Sequence, residues 1–154
     1  MEIRRDFIKS MREDSRLEAG ELSLNNLFYH HLLESGVDDD HIVRFAFDSA
    51  DDLYLIGESL IQIEKEKRGV DPEKIMAYIR SKSVGEGMYY LFLDEIQMLD
   101  CFEAVLNGYL RKDNKDVFVT GSNTNLLPKI LLLSSPVVVT RFIVMERRNL
   151  TEFA

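Results

Sequence analysis

Two short stretches of this chain carry residue types that do chemistry together. Asp94 and Glu95 follow an apolar run, Tyr89–Leu93, and Thr120–Asn123 follow a second one, Val117–Val119. Carboxylates at the end of an apolar strand are costly unless they are solvated, paired or bound to a cation. Carboxylates so placed can hold a divalent cation or polarise a water for attack. A polar cluster ending a neighbouring strand supplies hydrogen bonds to whatever sits between them. Either stretch alone is weak, since an acid pair after an apolar run also serves to start a helix. Their order, strand then helix then strand, gives the pair its weight.

These residues need a scaffold that brings strand ends together. Continuous apolar strands belong to parallel sheets covered on both faces, and strands alternating with helical patterns indicate an α/β domain. The run His41–Phe47 reads as a further strand, and Val137–Met145 as another. Between them, residues 48–52 read as acidic loop and Leu53–Glu66 as one helix. Asp71-Pro72 is a strong helix start, an N-cap acid followed by proline at the first helical position. Asp100 is placed to cap a helix whose buried face is Phe102, Val105, Leu106, Tyr109 and Leu110. Near the N-terminus, residues 2–12 have amphipathic spacing, and a second helical pattern from Leu24 stops at Gly36. Ligands of open parallel sheets bind beyond the carboxyl ends of the strands, where Asp94 and Thr120 fall.

Composition bounds the rest. The 154 residues are 45% hydrophobic and 30% charged, enough apolar material for a core. A formal charge of -8 disfavours nucleic acid as a partner. One cysteine, Cys101, excludes an internal disulfide and fits a reducing, cytoplasmic compartment; its own reading is a buried structural thiol. No stretch approaches the roughly 20 apolar residues a membrane helix needs, so no membrane partner is expected. His30 and His31 read as one exposed and one half-buried side chain, since adjacent histidines on a helix diverge.

The segments NLFYHHLLESGVDDDHI, DPEKIMAYI, MYYLFLDEIQMLDCFEAVLNGYL and DVFVTGSNTNLL together resemble a large group of bacterial and archaeal AAA-type P-loop ATPases that carry a C-terminal domain of unknown function. The resemblance covers about two thirds of the chain, and LDEIQ with VTGSN is its most diagnostic pair. It implies a three-layer α/β fold, a P-loop NTPase-like parallel sheet flanked by helices, with ATP and Mg²⁺ as cofactors. It assigns Asp94 to Mg²⁺ in the Walker B motif, Glu95 to the catalytic base, and Ser122 and Asn123 to sensing the terminal phosphate. Arg141 falls near the family's Gly-Arg, where an arginine faces the nucleotide of a neighbouring subunit, although Thr140 stands in place of the glycine.

The phosphate-binding loop of that family does not appear in this sequence. Its pattern, G-x-x-x-x-G-K-[ST], falls on Asp14–Glu21, DSRLEAGE, where all four diagnostic positions differ, and no Gly-Lys pair occurs anywhere. The loop works by aiming backbone N–H groups and a lysine at phosphates. Asp14, Glu18 and Glu21 supply negative charge instead. Two unit charges 4 Å apart interact by about 1 kcal/mol in water and about 4 kcal/mol near a protein surface, so a triphosphate is repelled here.

No residue in 8–22 makes a convincing apolar strand, so the family's central first strand is expected to be missing along with the loop. The remaining strands must then close the gap or leave an exposed edge. The expectation is one truncated AAA-type ATPase-like domain, 1–154, that no longer hydrolyses ATP. Two alternatives stand beside it. One is an active ATPase using an atypical loop or a partner chain. The other is a non-enzymatic module that binds a protein partner or oligomerises.

Overall fold

The computed structural model describes residues 24–121, 142–146 and 149–153. The chain divides into two compact units, Met1–Ile42 and Val43–Ala154. In the first, helix α1 (Leu24–Glu34) ends before Gly36, whose φ of 90° no other residue type adopts easily. His30 is exposed and His31 half-buried, as their spacing predicts. The Tyr29 hydroxyl donates to Asp39 at 2.5 Å, tying the helix to a short 3₁₀ turn, Asp39–His41.

That turn leads into strand β1 (Ile42–Ala46), one residue inside the predicted run at each end. Helix α2 (Ala50–Leu55) follows, capped by the Ser49 hydroxyl, then α3 (Leu60–Glu66). One continuous helix through Leu53–Glu66 is therefore wrong, and residues 50–52 are helix and not loop. The chain turns at Gly57, with φ of 76°, so that Glu58 can enter the interior. Helix α4 (Pro72–Lys82) starts as predicted, with the Asp71 carboxylate accepting from the Glu73 amide at 2.9 Å. Strand β2 (Tyr89–Asp94), a 3₁₀ turn (Ile96–Met98), helix α5 (Phe102–Leu110) and strand β3 (Lys115–Gly121) come next. Strands β4 (Phe142–Glu146) and β5 (Asn149–Phe153) are the last described strands of the sheet. Of the predicted strand Val137–Met145, only its second half lies within the described residues. The predicted N-terminal helix, residues 2–12, lies outside them.

The five strands are hydrogen-bonded in the order β1-β2-β3-β4-β5, the order of the chain itself. β2, β3 and β4 run parallel, and β5 returns antiparallel to β4. Parallel strands joined through a helix cross over right-handed as a rule, which puts the helices between described neighbouring strands on a single face. The core agrees. Leu53, Ile63, Ile75 and Ile79 from α2–α4 and Phe102, Val105, Leu106, Tyr109 and Leu110 from α5 form one cluster with the strand residues Val43, Phe45, Leu91, Leu93, Val117 and Val119. Side chains alternate along a strand, so Phe92 and Phe118 project from the opposite face. They are buried there too, each 1% exposed.

Two connections fix the loops under this layer. Glu58, its side chain 1% exposed, receives Arg68 at 2.6 and 3.2 Å, Lys74 at 2.7 Å and the Asp71 amide at 3.4 Å. Val70 bridges Leu99, with its amide 2.8 Å from the Met98 carbonyl, while the Gly69 amide donates to Asp100 Oδ1 at 3.1 Å. Asp100 is thus spent on Gly69, and the residue in the N-cap position of α5 is Cys101, without a side-chain bond. Cys101 is exposed, against the expectation of a buried thiol, because a left-handed φ of 53° turns it out of the helix start.

A Cβ at Gly69 would lie 2.5 Å from Asp100 Oδ1 and 2.7 Å from the Met98 carbonyl oxygen. The latter is backbone and cannot swing aside. Gly69→Ala is therefore expected to lower stability by about 1–3 kcal/mol in a urea melt, as overpacking does. A loss below about 0.5 kcal/mol, the size of an ordinary surface change, would show that the segment yields.

Candidate functional site

The site grows from the register of β2 on β3. Leu93 pairs with Val119, so the next residues, Asp94 and Thr120, lie side by side at the carboxyl ends of the strands. Both fall on the face that carries Phe92 and Phe118. The Thr120 hydroxyl donates to Asp94 Oδ1 and accepts from the Glu95 amide at 3.1 Å. A hydroxyl has one proton to give, so the polar group level with Asp94 is committed inside the protein. The Asp94 carbonyl accepts from the Phe47 amide at 3.0 Å, which draws the end of β1 to the same place.

Glu95 departs from the strand in the left-handed region, φ 57° and ψ 51°, a conformation that costs a residue with a Cβ about 1–2 kcal/mol. Its amide bond to Thr120 and the bond from the Met98 amide to its carbonyl, 3.1 Å, hold it there. The turn directs its side chain inward: Glu95 is 8% exposed, and Gln97 Nε2 donates to its carboxylate. Asp94 ends β2 and Glu95 begins the turn after it, so the two acids have different surroundings. Ser122, Asn123 and Arg141 lie outside the described residues, as do the positions of the phosphate-loop pattern, Asp14–Glu21.

The donor set bears on a metal. Magnesium is bound through one or two carboxylates with waters and substrate phosphates completing the octahedron. Among the described residues no group of three His, Cys, Asp or Glu side chains converges. Asp94 alone suits a cation that a nucleotide would bring with it, and the phosphates that would bring it have no recognisable loop in the sequence.

Thr120 belongs to the polar cluster read from the sequence, though its bond to Asp94 was not foreseen, and Gln97 was not singled out at all. Thr120 could have been found by counting: in a parallel register, residue 120 stands to Val117 as Asp94 stands to Leu91. Gln97 gives no such signal, because its reach to Glu95 depends on the 3₁₀ turn.

A parallel α/β sheet with an acid pair at the carboxyl end of one inner strand and a polar residue level with it on the next defines a P-loop NTPase-like domain. The model of the AAA domain family matches residues 23–144, and the chain belongs to that family. No curated protein and no solved structure matches it. Among the described residues no helix is long and apolar enough to cross a membrane.

Proposed function

We propose that this AAA-type ATPase-like domain is catalytically silent: it neither binds ATP-Mg²⁺ tightly nor hydrolyses it, and its acid pair serves the fold. The observation that carries this reading is the direct parallel pairing of β3 with β4, from Val117↔Phe142 to Gly121↔Glu146. Among the described strands every seam from β1 to β5 is hydrogen-bonded, which supports a sheet without a central strand ending in a phosphate loop. The direct pairing of β3 with β4 supports the reading that the remaining strands close such a gap. The Asp94–Thr120–Glu95 network then acts as a clasp between the ends of two strands. DSRLEAGE, with Asp14 at the first glycine of the family pattern, Gly20 at its lysine and Glu21 at its hydroxyl, agrees with this. A single free cysteine fits a cytoplasmic setting.

Calorimetric titration of the full chain with ATP-Mg²⁺ tests the proposal, with Glu95→Gln as control. The expected result is no saturable heat at submillimolar nucleotide and no turnover in either protein. Submillimolar binding, with turnover that disappears in Glu95→Gln, would establish a working ATPase with an atypical loop or one completed by a partner chain.

A second reading draws on one observation. Within residues 54–61, Tyr54 is 80% exposed, Leu55 60% and Ile61 68%. Large apolar side chains so exposed on successive helices favour a module that docks a protein partner or another copy. A silent domain with such a surface would act by binding.

A further inference from the structure

At the amino ends of the strands, away from the acid pair, α4, α5 and the start of β3 enclose a cavity of about 200 Å³. Lys115 opens β3 and Thr120 lies near its end, so the cavity is roughly 16 Å from the Asp94 clasp at about 3.3 Å per residue. Its walls are apolar, formed by Ile79, Val105 and the ring of Tyr109 among others, and its charged residues are Arg80, Lys112 and Lys115. No Asp or Glu lines it, in a chain with 27 acidic and 19 basic residues. Three cations around one apolar cavity run against the balance of the whole molecule.

The cations are placed at different depths. Arg80 is exposed near the end of α4 and Lys112 in the loop after α5, while Lys115 is only 6% exposed. Its ammonium lies 5.8 Å from the centre of the Tyr89 ring. Burial, and then the charge of Lys112, hold the Lys115 pKa below its ordinary value. An anion beside Lys112 and Lys115 favours the charged form of both. The Tyr109 hydroxyl is pushed up to about 12 by burial, against the opposing charge of Arg80, and stays a neutral hydrogen-bond donor.

The geometry points to a binding site for a small amphipathic organic anion, its carboxylate or phosphate head among Arg80, Lys112 and Lys115 and its apolar body along Ile79, Val105 and Tyr109. The volume is below the roughly 300–1,000 Å³ of drug-sized sites, which limits the ligand to a short alkyl or single-ring acid. Gly108 lines the same cavity, and a Cβ there meets nothing within 4 Å. The α5 wall is therefore open at that point.

Hexanoate is the probe, titrated into the full chain by ligand-observed NMR. Hexan-1-ol keeps the apolar body without the charge, and inorganic phosphate keeps the charge without the body. We expect hexanoate to bind with Kd on the order of 1 mM, and both comparison compounds at least about tenfold more weakly. Arg80→Gln combined with Lys112→Gln, both exposed and outside the acid-pair site, should weaken hexanoate about tenfold. Gly108→Leu retains all three cations and favours the helix, so it should fold, and it should abolish binding by filling the cavity. Equal binding of hexan-1-ol would make this an apolar void only, and equal binding of inorganic phosphate a surface charge effect. Either result, absence of hexanoate binding, or hexanoate affinity unchanged in both variants overturns the assignment.

Discussion

Glu58→Ala is expected to cost about 3 kcal/mol, a large share of the 5–15 kcal/mol that holds a domain of this size. Removing one partner of a buried ion pair costs about 3–5 kcal/mol when the other charge is stranded. Here the cations are partly wet, Arg68 29% and Lys74 41% exposed, so they rehydrate and the loss falls at the lower end. The carboxylate joins the segment 68–71 to α4, and alanine releases Arg68, the Asp71 amide and Lys74 together. Urea unfolding measures the effect, and a loss under 1 kcal/mol would mean that the cluster is an exposed decoration.

The same group predicts an acid limb. Hydrogen bonding from Arg68, assisted by Lys74 and the Asp71 amide and opposed by burial, holds Glu58 down from an ordinary 4.5 to about 2. The folded protein therefore holds the proton less readily than the unfolded chain. The stabilisation is fully present above about pH 4.5 and is lost as pH falls towards 2. The shift corresponds to roughly 3 kcal/mol, discounted to about 2 for solvent screening of the partners. Glu58→Gln should flatten stability across that window and leave the slope elsewhere unchanged.

The second large effect is expected on the other face of the sheet. Phe92 and Phe118 stack with ring centres 5.1 Å apart and planes 13° apart, each 1% exposed. Phe118→Ala removes a whole ring from a closed space and should cost about 3–5 kcal/mol. For about 150 residues that is a fall of roughly 10 °C in Tm. Phe92→Ala should cost a similar amount, and the double variant less than the two together by about 0.5–1.5 kcal/mol, because each ring is the other's neighbour. Losses near 1 kcal/mol with full additivity would show that this face is open to water.

Where local chemistry decides an element, the sequence reveals it. Asp71-Pro72 starts α4, and the helical spacing from Phe102 to Leu110 names the buried face of α5 in full. The apolar runs at 89–93 and 117–119 become neighbouring parallel strands in the order expected, and the acid pair stands at their carboxyl ends. Distant partners decide the rest. Glu58 breaks the helical pattern of 53–66 because cations ten and sixteen residues away receive it. Asp100 leaves the helix it precedes for an amide thirty-one residues back. The pairing of β4 with β3 joins residues distant in sequence, and no periodicity within 142–146 announces it.

A sheet in which each strand lies next to its predecessor in the chain carries a kinetic consequence. Rates of folding fall as contacting residues become more distant in sequence. A central strand supplied from the N-terminus would have to wait for its later neighbours while holding two unsatisfied edges. Here β1 to β5 can be laid down in the sequence in which a ribosome releases them, each new strand adding to an edge already formed. The nascent chain then never needs to open a completed seam.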